Sequence, residues 1–232
     1  MEIAILMAAG LGTRMLPLTK NTPKPLIRVG SKPMIETLLD GLTLHGVDRI
    51  YVVTGYLAQQ FEYLKKKYPH LELVHNDEYM IKNNISSIHA VCDVMGTADC
   101  FVCEADLYVS DPGIFDIPHD SSCYYGKFVE GHSDDWVFDT DGDRIVRVGR
   151  CGDNTYNMVG ISYFKQKDAE IIADAVLEAY RHEGHENLFW DEIVNDCLSK
   201  LYLKICPVDG SQIAELDTCR ELQEFEQSLR GK

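Results

Sequence analysis

The first apolar run of the chain is followed by two glycines and a basic loop. In the stretch AAGLGTRMLPLTKNTPKPL, Gly10 and Gly12 precede Arg14, Lys20 and Lys24. Backbone N–H groups of a glycine turn can bind phosphate oxygens, an arginine binds them with two parallel donors, and a lysine adds a point charge. The stretch therefore predicts a triphosphate site, with Arg14 on the β- and γ-phosphates and Lys24 beside the reacting phosphate.

Two other phosphate-binding loops do not match this stretch. A dinucleotide-binding loop needs a third glycine that opens a helix. Met15 stands at that position, and Pro17, Pro23 and Pro25 prevent a helix from starting there. The Gly-Lys-Ser/Thr sequence of the P-loop is also absent. A nicotinamide-dependent oxidoreductase is therefore disfavoured, and the remaining alternative is an ordinary strand-end turn with solvated basic residues.

The composition is that of an acidic globular protein. The 232 residues include 22 Lys and Arg against 37 Asp and Glu, a net charge of −15. This charge disfavours nucleic acid and anionic membranes as partners. The apolar run after Met1 is short and has no basic leader, which predicts neither a signal peptide nor a membrane span. Eight scattered cysteines in mostly apolar segments predict free thiols and a cytoplasmic protein.

The first half alternates between apolar strands and amphipathic helices. Strands are predicted at EIAILMAA, RIYVVTG, LELVHN and DCFVCEADLYV, and helices at KPMIETLLDGLTLHG, LAQQFEYLKKKYP and NISSIHAVCDVMG. Continuous apolar strands separated by helices indicate a parallel sheet that is covered on both faces. The predicted fold class is α/β, with a mostly parallel, doubly wound, Rossmann-like sheet and helices on both faces.

The second half changes pattern after about residue 120. SSCYYGKFV, DWVFDTDGDRIVRVG and NMVGISYF are typical of antiparallel strands, and DTDGD predicts a hairpin turn. Two helices, the strand LYLKICPV and a closing helix from about Thr218 follow. We expect one domain over residues 1–232 with an inserted antiparallel β portion. Residues 1–110 would bind the nucleoside triphosphate, and about 120–232 would bind the acceptor and supply a second metal carboxylate.

The opening segment LMAAGLGTRMLPLTKNTPKPLIRVGSKPMIE closely resembles the first motif of the nucleoside-triphosphate transferase family. Members of that family couple a nucleoside triphosphate to a sugar 1-phosphate or a small phosphoester and release pyrophosphate. Within the family, NNISSI, EADLYV, DDWVF, GISYF and LFWDEIV are similar to the CTP:phosphocholine cytidylyltransferases of bacterial cell-surface decoration. The chain is also similar to 2-aminoethylphosphonate cytidylyltransferases.

The resemblance implies catalytic roles for Arg14, Lys24 and Asp106. The nucleotide-binding residues that it implies are Ala8, Ala9, Gly10, Gly12, Thr13, Arg14, Gly55, Tyr56, Asn83, Ser86 and Asp106. It also implies Mg²⁺, a cation for which a few carboxylates and the substrate phosphates suffice. Asp106 at the end of the fourth strand and Asp217 in IAELDT would hold it, although Asp217 could equally cap the last helix.

The acceptor side contains the two tryptophans of the chain, each next to acidic residues. Trp136 follows Asp134 and Asp135, and Trp190 precedes Asp191 and Glu192. Aromatic faces and nearby negative charge bind a quaternary ammonium, and the resemblance assigns these segments to the acceptor. We therefore expect an aromatic cage, although each tryptophan alone could belong to the core. The expected acceptor-binding residues are Lys24, Asp135, Trp136, Phe189, Trp190 and Asp191.

The expected reaction is Mg²⁺-dependent transfer of CMP from CTP to phosphocholine, giving CDP-choline and pyrophosphate. 2-Aminoethylphosphonate or phosphoethanolamine is an alternative acceptor, because its smaller ammonium can donate hydrogen bonds and favours carboxylates over rings. A sugar-1-phosphate nucleotidyltransferase and an inactive nucleotide-sensing module are further alternatives. The expected partners are CTP and a small cationic phosphoester or phosphonate, without nucleic acid or membrane insertion, and no signal for an oligomeric state is present.

Overall fold

The computed structural model describes residues 1–230. Its strands are β1 (Glu2–Ala8), β2 (Arg28–Val29), β3 (Lys32–Pro33), β4 (Arg49–Thr54), β5 (Leu71–His75), β6 (Asp99–Glu104), β7 (Leu107–Val109), β8 (Ser122–Asp141), β9 (Arg144–Phe164), β10 (Leu203–Pro207) and β11 (Ile213–Glu215). Its helices are α1 (Met34–His45), α2 (Leu64–Lys67), α3 (Ile85–His89), α4 (Cys92–Met95), α5 (Gln166–Ala179), α6 (Trp190–Cys197) and α7 (Cys219–Arg230). Over this described range, none of the helices has the length and apolar character that crossing a bilayer requires.

Seven strands form one sheet in the order β10-β8-β9-β6-β1-β4-β5. The strands β5, β4, β1 and β6 are parallel, β9 runs antiparallel to both of its neighbours, and β10 is parallel to β8. This topology confirms the predicted mostly parallel α/β sheet, with β8 and β9 as the antiparallel portion. The carboxyl ends of β1, β4 and β6 lie at one edge, which is where doubly wound sheets bind their ligands.

Alternate side chains of the central strands enter two separate cores. Leu6 of β1 packs with α1 on one face of the sheet, whereas Ile5 packs with α5 and α6 on the other. Cys100 and Cys103 also enter opposite cores, as their spacing on a strand predicts. Helices therefore cover both faces of the sheet, as expected.

Three predicted elements are interrupted in the structure. The segment 57–69, predicted as one helix, forms a 3-10 turn at Ala58–Phe61 and then α2. Leu57 stays outside the helix because its φ of 50° is left-handed. The segment 84–96 divides into α3 and α4 at Val91, where the backbone leaves helical geometry at a φ of −129°. The fourth predicted strand divides into β6 and β7, because β6 pairs with β1 whereas β7 pairs with β11.

The strands β8 and β9 form a long hairpin with a two-residue turn at Gly142 and Asp143. Gly142 has a φ of 60°, the left-handed conformation that such turns require, so the hairpin predicted at DTDGD is confirmed. The hairpin contains several register shifts, one of them between Asp139 and Thr140. These shifts bend the outer part of the hairpin, which carries Trp136 and lines a cavity at the carboxyl edge of the sheet.

Candidate active site

The loop after β1 is held against Lys24 by close backbone contact. Gly12 has a φ of 62°, and the hydroxyl of Thr19 donates a hydrogen bond of 2.9 Å to its carbonyl oxygen. A Cβ atom on Gly12 would lie 2.9 Å from the Cβ of Lys24 and 3.0 Å from the Cγ2 of Thr19. Glycine is therefore required at this position for both its conformation and the space that it leaves.

Replacing Gly12 by alanine should damage both stability and activity. The left-handed conformation alone should reduce the free energy of unfolding by about 1 to 2 kcal/mol, and the contact with Lys24 should roughly double that loss. Gly30→Ala is the matched control, because Gly30 has a φ of 59° and open space around its Cβ position. Urea unfolding and turnover of both variants measure the difference. Equal effects of the two substitutions would contradict a close approach at Gly12.

Four charged side chains from distant parts of the chain meet below this loop. The Nζ of Lys24 lies 2.6 Å from the Oδ2 of Asp106 and 2.6 Å from the Oδ1 of Asp217. Arg14 binds the other oxygen of Asp217, also at 2.6 Å. The pairing of β11 with β7 explains this meeting, because it sets Glu215 opposite Leu107, next to Asp106, and Asp217 follows two residues later.

The burial of these charges shows which of them are available to a ligand. The side chain of Lys24 is only 7% exposed, whereas that of Arg14 is 69% exposed. Burial alone lowers the pKa of Lys24, but the charges and hydrogen bonds of Asp106 and Asp217 outweigh it and raise the pKa above its usual value. Lys24 is therefore a buried cation between two carboxylates, and Arg14 is an exposed one at the mouth of the site.

A cavity of about 810 Å³ opens above these residues at the carboxyl edge of the sheet. This volume is in the range of small-molecule sites. The predicted site residues that line it are Ala8, Ala9, Gly10, Gly12, Thr13, Arg14, Lys24, Asn83, Ser86, Asp106, Asp135, Trp136, Phe189, Asp191 and Asp217. The cavity wall thus brings together residues from both halves of the chain.

Two of the predicted nucleotide-binding residues lie behind the wall of the cavity. Tyr56 donates its backbone N–H to the carbonyl oxygen of Ala9 at 3.1 Å and its hydroxyl to that of Lys20 at 2.8 Å. Gly55 packs so closely under Tyr79 that an added Cβ would lie 2.6 Å from the tyrosine ring. Gly55 and Tyr56 therefore support the loop, while Tyr79 itself lines the cavity.

A row of short polar side chains lines the cavity beside α3. The Nδ2 of Asn76, which is 2% exposed, donates to the Oγ of Ser86 at 2.9 Å, and Ser86 donates to the carbonyl oxygen of Asn83 at 2.8 Å. Asn84 accepts the backbone N–H of Trp190 at 2.9 Å and so joins this row to α6. Fixed amide and hydroxyl groups of this kind can bind the edge of a nucleobase.

The expected pair of tryptophans is not formed, because Trp190 is part of the core. Its ring is 3% exposed and packs against Tyr124 and Phe164, with centroid distances of 6.2 and 6.0 Å. The preceding residue, Phe189, lines the cavity instead, and its ring meets that of Trp136 at 5.5 Å and an interplanar angle of 62°. Trp136 and Phe189 are therefore the aromatic pair of the site, and Trp190 supports them from behind.

Arg150, which was not singled out in the sequence, covers this aromatic pair. Its guanidinium carbon lies 5.6 Å from the ring centroid of Trp136 and 5.5 Å from that of Phe189. Both distances are within the range of a cation–π contact. The strand register explains the position, because Arg150 pairs directly with Trp136 across the hairpin.

Carboxylates dominate the rest of the lining. Seven of them border the cavity, against the four cations Arg14, Lys24, Lys82 and Arg150, and they are Glu104, Asp106, Asp134, Asp135, Asp191, Glu215 and Asp217. Burial, with Asp106 next in effect, raises the pKa of Glu104 well above its usual value. Desolvation and the neighbouring Asp217 raise the pKa of Glu215 to about 8. The raised pKa values keep Glu104 and Glu215 largely protonated at neutral pH, so the other five carboxylates face four cations. A metal ion or an ammonium group would therefore bind beside particular carboxylates rather than through the overall charge of the cavity.

Asp191 is the most deeply buried of the acceptor-side carboxylates. It is 3% exposed and accepts a hydrogen bond of 3.0 Å from the hydroxyl of Tyr124. Burial raises the pKa of Asp191 to about 7, although the hydrogen bond from Tyr124 works in the opposite direction. Its protonation state therefore changes near neutral pH.

The Asp191→Asn variant should gain stability relative to the wild type as the pH rises. From about pH 4 to pH 7 the unfolded chain has lost the Asp191 proton while the folded protein retains it, so wild-type stability falls over this window and levels off above it. The difference between the variant and the wild type should therefore widen by roughly 1.4 kcal/mol per pH unit. Urea unfolding across the window tests this expectation.

Tyr124→Phe is the matched variant for this titration. It removes only the hydroxyl that stabilises the ionised form of Asp191. The upper end of the window should therefore move to higher pH in this variant. A difference between Asp191→Asn and the wild type that did not vary with pH would mean that Asp191 is already ionised below pH 7.

The chain is similar to several known proteins. The model of the Nucleotidyl transferase family matches residues 3–135. The chain is 54% identical to a 2-aminoethylphosphonate cytidylyltransferase of Lancefieldella rimae over 96% of this chain and 91% of that protein. It is 34% identical to a choline-phosphate cytidylyltransferase of Streptococcus pneumoniae over 99% of both chains. The solved structure of a CTP:phosphocholine cytidylyltransferase from Streptococcus pneumoniae superposes with a TM-score of 0.90 at 32% identity, covering 98% of this chain and 99% of that one.

The fold and the charged cavity define an enzyme that transfers a nucleotidyl group. The chain belongs to the nucleotidyl transferase family, which confirms the resemblance of its opening motif. The relatives reported above are cytidylyltransferases, and each aligns with more than nine-tenths of this chain. They differ in the acceptor that their names record.

Proposed function

We propose that this enzyme transfers CMP from CTP to 2-aminoethylphosphonate and releases pyrophosphate. The choice of acceptor rests on the position of Arg150, which already covers the faces of Trp136 and Phe189. A quaternary ammonium depends on such faces, whereas a primary ammonium binds carboxylates by hydrogen bonds. The same part of the wall carries Asp134, Asp135 and the buried Asp191. The relative from Lancefieldella rimae, with its 54% identity, supports the same acceptor.

In this proposal the nucleotide occupies the part of the cavity between the loop after β1 and α3. The backbone of residues 8–13 and the exposed Arg14 bind the triphosphate, and the polar row at Asn76, Asn83 and Ser86 binds the base. A preference for cytosine requires a donor toward its ring oxygen or nitrogen and an acceptor for its amino group. Amide and hydroxyl groups provide both.

Asp106 and Asp217 fit a magnesium ion. Both carboxylates lie on the cavity wall, and each is 2.6 Å from the same lysine nitrogen, so two hard oxygen ligands are close neighbours there. Mg²⁺ binds through one or two carboxylates together with substrate phosphates. When bound, it would neutralise charge on the phosphates of CTP.

The chemical step needs positioning and charge rather than a general base. A phosphonate oxygen attacks the α-phosphorus, a new P–O bond forms, and the bond to the bridging oxygen breaks as pyrophosphate leaves. A dianionic phosphonate is already a nucleophile, so catalysis consists of orientation and stabilisation of the developing charge. Lys24 would bind the α-phosphate and the incoming phosphonate. Arg14 would stabilise the negative charge on the departing pyrophosphate.

Phosphocholine is the second candidate acceptor. The Trp136–Phe189 pair is itself an aromatic surface beside acidic residues, and it would bind a trimethylammonium group if Arg150 moved away. The relative from Streptococcus pneumoniae, aligned over 99% of both chains, supports this reading. The product would then be CDP-choline, which would be used to attach choline to the cell surface.

Pyrophosphate release tests the proposal. CTP, UTP, dTTP and ATP should be crossed with 2-aminoethylphosphonate, phosphoethanolamine, phosphocholine and glucose 1-phosphate in the presence of Mg²⁺. We expect turnover with CTP only and the highest kcat/KM with the aminophosphonate. Turnover with glucose 1-phosphate would assign the chain to the sugar-1-phosphate branch of the family, and no turnover with any pair would favour the inactive nucleotide-sensing module.

Removing the side chain of Arg150 should change which acceptor is preferred. Arg150→Ala uncovers both aromatic faces. The ratio of kcat/KM for phosphocholine to kcat/KM for 2-aminoethylphosphonate should therefore rise by about tenfold, which corresponds to the free energy of one strong cation–π contact. Arg49→Ala is the control, because Arg49 is an exposed arginine that pairs with Glu72 and lies outside the cavity lining. An unchanged ratio in Arg150→Ala would show that Arg150 does not select the acceptor.

A further inference from the structure

A second cluster of metal-ligand side chains lies outside the active site. His119 is in the segment before β8, Cys123 is in β8, and Cys206 is in the neighbouring strand β10. One ligand atom from each lies within 4.8 Å of the other two. Both cysteines are buried in the core on the α1 side of the sheet, at 4% and 7% exposure, and His119 is half-buried.

We propose that His119, Cys123 and Cys206 bind a divalent metal of the zinc type. The Nδ1 of His119 lies 3.4 Å from the Sγ of Cys123. In a tetrahedral zinc site, bonds of about 2.3 Å to sulfur and 2.1 Å to nitrogen separate neighbouring ligands by roughly 3.6 Å. His119 and Cys123 thus stand close to the separation that a shared ion requires, and Cys206 lies within 4.8 Å of both. A water molecule can serve as the fourth ligand.

The surroundings of His119 prepare its Nδ1 as a ligand. Its other nitrogen, Nε2, is hydrogen-bonded to the hydroxyl of Tyr125 at 2.8 Å, and its ring stacks on that of Tyr163 at 4.4 Å. A hydrogen bond at the second nitrogen is the usual partner of a metal-bound histidine, because it fixes the ring orientation and the tautomer.

The two thiols complete a soft ligand set that differs from the active site. Binding of the ion would form two metal–sulfur bonds and release the thiol protons to solvent. Thiolate and imidazole ligands select zinc-like metals, whereas the oxygen ligands Asp106 and Asp217 suit Mg²⁺. Because β10 is an edge strand of the sheet, the ion would fasten this edge to β8.

Cobalt(II) binding tests this site without reference to activity. The reduced full-length enzyme, freed of metal by a chelator, should bind one equivalent of Co²⁺ with the near-ultraviolet charge-transfer absorption of cobalt–thiolate bonds. Zn²⁺ should displace it and raise the melting temperature. Cys206→Ser and His119→Gln should each weaken cobalt binding by on the order of a hundredfold. Cys197→Ser, which alters an equally buried thiol in α6, should leave it unchanged.

Two variants are used because the buried Cys206→Ser substitution could disturb folding, whereas His119 is partly exposed. Circular dichroism checks both. Absence of the thiolate band in the native enzyme would overturn the proposal, as would a band that persists in both variants. If mild oxidant joins Cys123 to Cys206 in a disulfide and the reduced enzyme binds no cobalt, the cluster is a thiol pair and the metal site is rejected.

Discussion

The Lys24→Met variant should fold normally and lose about three orders of magnitude in kcat, the upper range for removing one preorganised charge that stabilises a transition state. Methionine retains the stem that packs against Gly12 but removes the ammonium that lies 2.6 Å from both Asp106 and Asp217. Without this cation, the two carboxylates repel the phosphates that must approach them. Pyrophosphate release at saturating CTP and acceptor measures the loss, and circular dichroism checks the fold.

Lys32→Met is the matched control for this variant. Lys32 also pairs with an aspartate, Asp40, but it is 43% exposed, lies outside the cavity lining, and should tolerate the same change. If Lys24→Met retained turnover within about threefold of the wild type, Lys24 would have only a structural role.

The Asp106→Asn variant should show a loss of similar size, about a thousandfold in kcat, together with a requirement for more Mg²⁺. The substitution keeps the shape of the side chain and removes the charge that would hold the metal. Asp217→Asn should resemble it, and the double variant should be scarcely worse than either single one, because residues that act as one unit are not additive. Mg²⁺ titrations of turnover at saturating substrates distinguish a metal effect from a general loss.

Asp99→Asn controls for the loss of a lysine-paired carboxylate outside the active site. Asp99 begins β6 at the opposite end of the sheet from Asp106, pairs with Lys165 at 3.0 Å and is similarly exposed. It should leave the Mg²⁺ dependence unchanged. An Asp106→Asn enzyme with the wild-type Mg²⁺ requirement would remove Asp106 from the metal site.

The nucleotide half of the site could be predicted from local sequence because its parts are close together in the chain. One strand, one glycine turn and one basic loop supply Gly12, Arg14 and Lys24, and the sheet edge on which they lie follows from the strand–helix alternation. The role of Asp217 as a metal ligand could be predicted only from the family resemblance, because the pairing of β11 with β7 joins segments about a hundred residues apart.

The aromatic side of the site illustrates what local sequence does not determine. Phe189 and Trp190 are neighbours at a helix start. Phe189 is the extended residue before α6 and Trp190 is its first helical residue, so their side chains leave the backbone in different directions. Packing against Tyr124 and Phe164 assigns Trp190 to the core. No pattern within the segment FWDE reveals that choice.

Arg150 was missed because of a register shift. A two-residue turn at Gly142 and Asp143 sets Asp141 opposite Arg144, which by simple alternation would pair Trp136 with Gly149. The irregularity between Asp139 and Thr140 moves the register by one residue and brings Arg150 opposite Trp136 instead. The same limit applies to His119, Cys123 and Cys206, whose proximity depends on the pairing of β8 with β10.

A direct competition between the two acceptors identifies the substrate of this enzyme. The enzyme should be given limiting CTP and Mg²⁺ with equal, saturating concentrations of 2-aminoethylphosphonate and phosphocholine, and the products measured by phosphorus NMR. We predict that the CMP ester of the phosphonate, whose carbon–phosphorus bond gives it a distinct resonance, exceeds CDP-choline by at least about tenfold, the discrimination expected from one well-made charge contact. A product mixture dominated by CDP-choline would show that the acceptor is phosphocholine and not 2-aminoethylphosphonate.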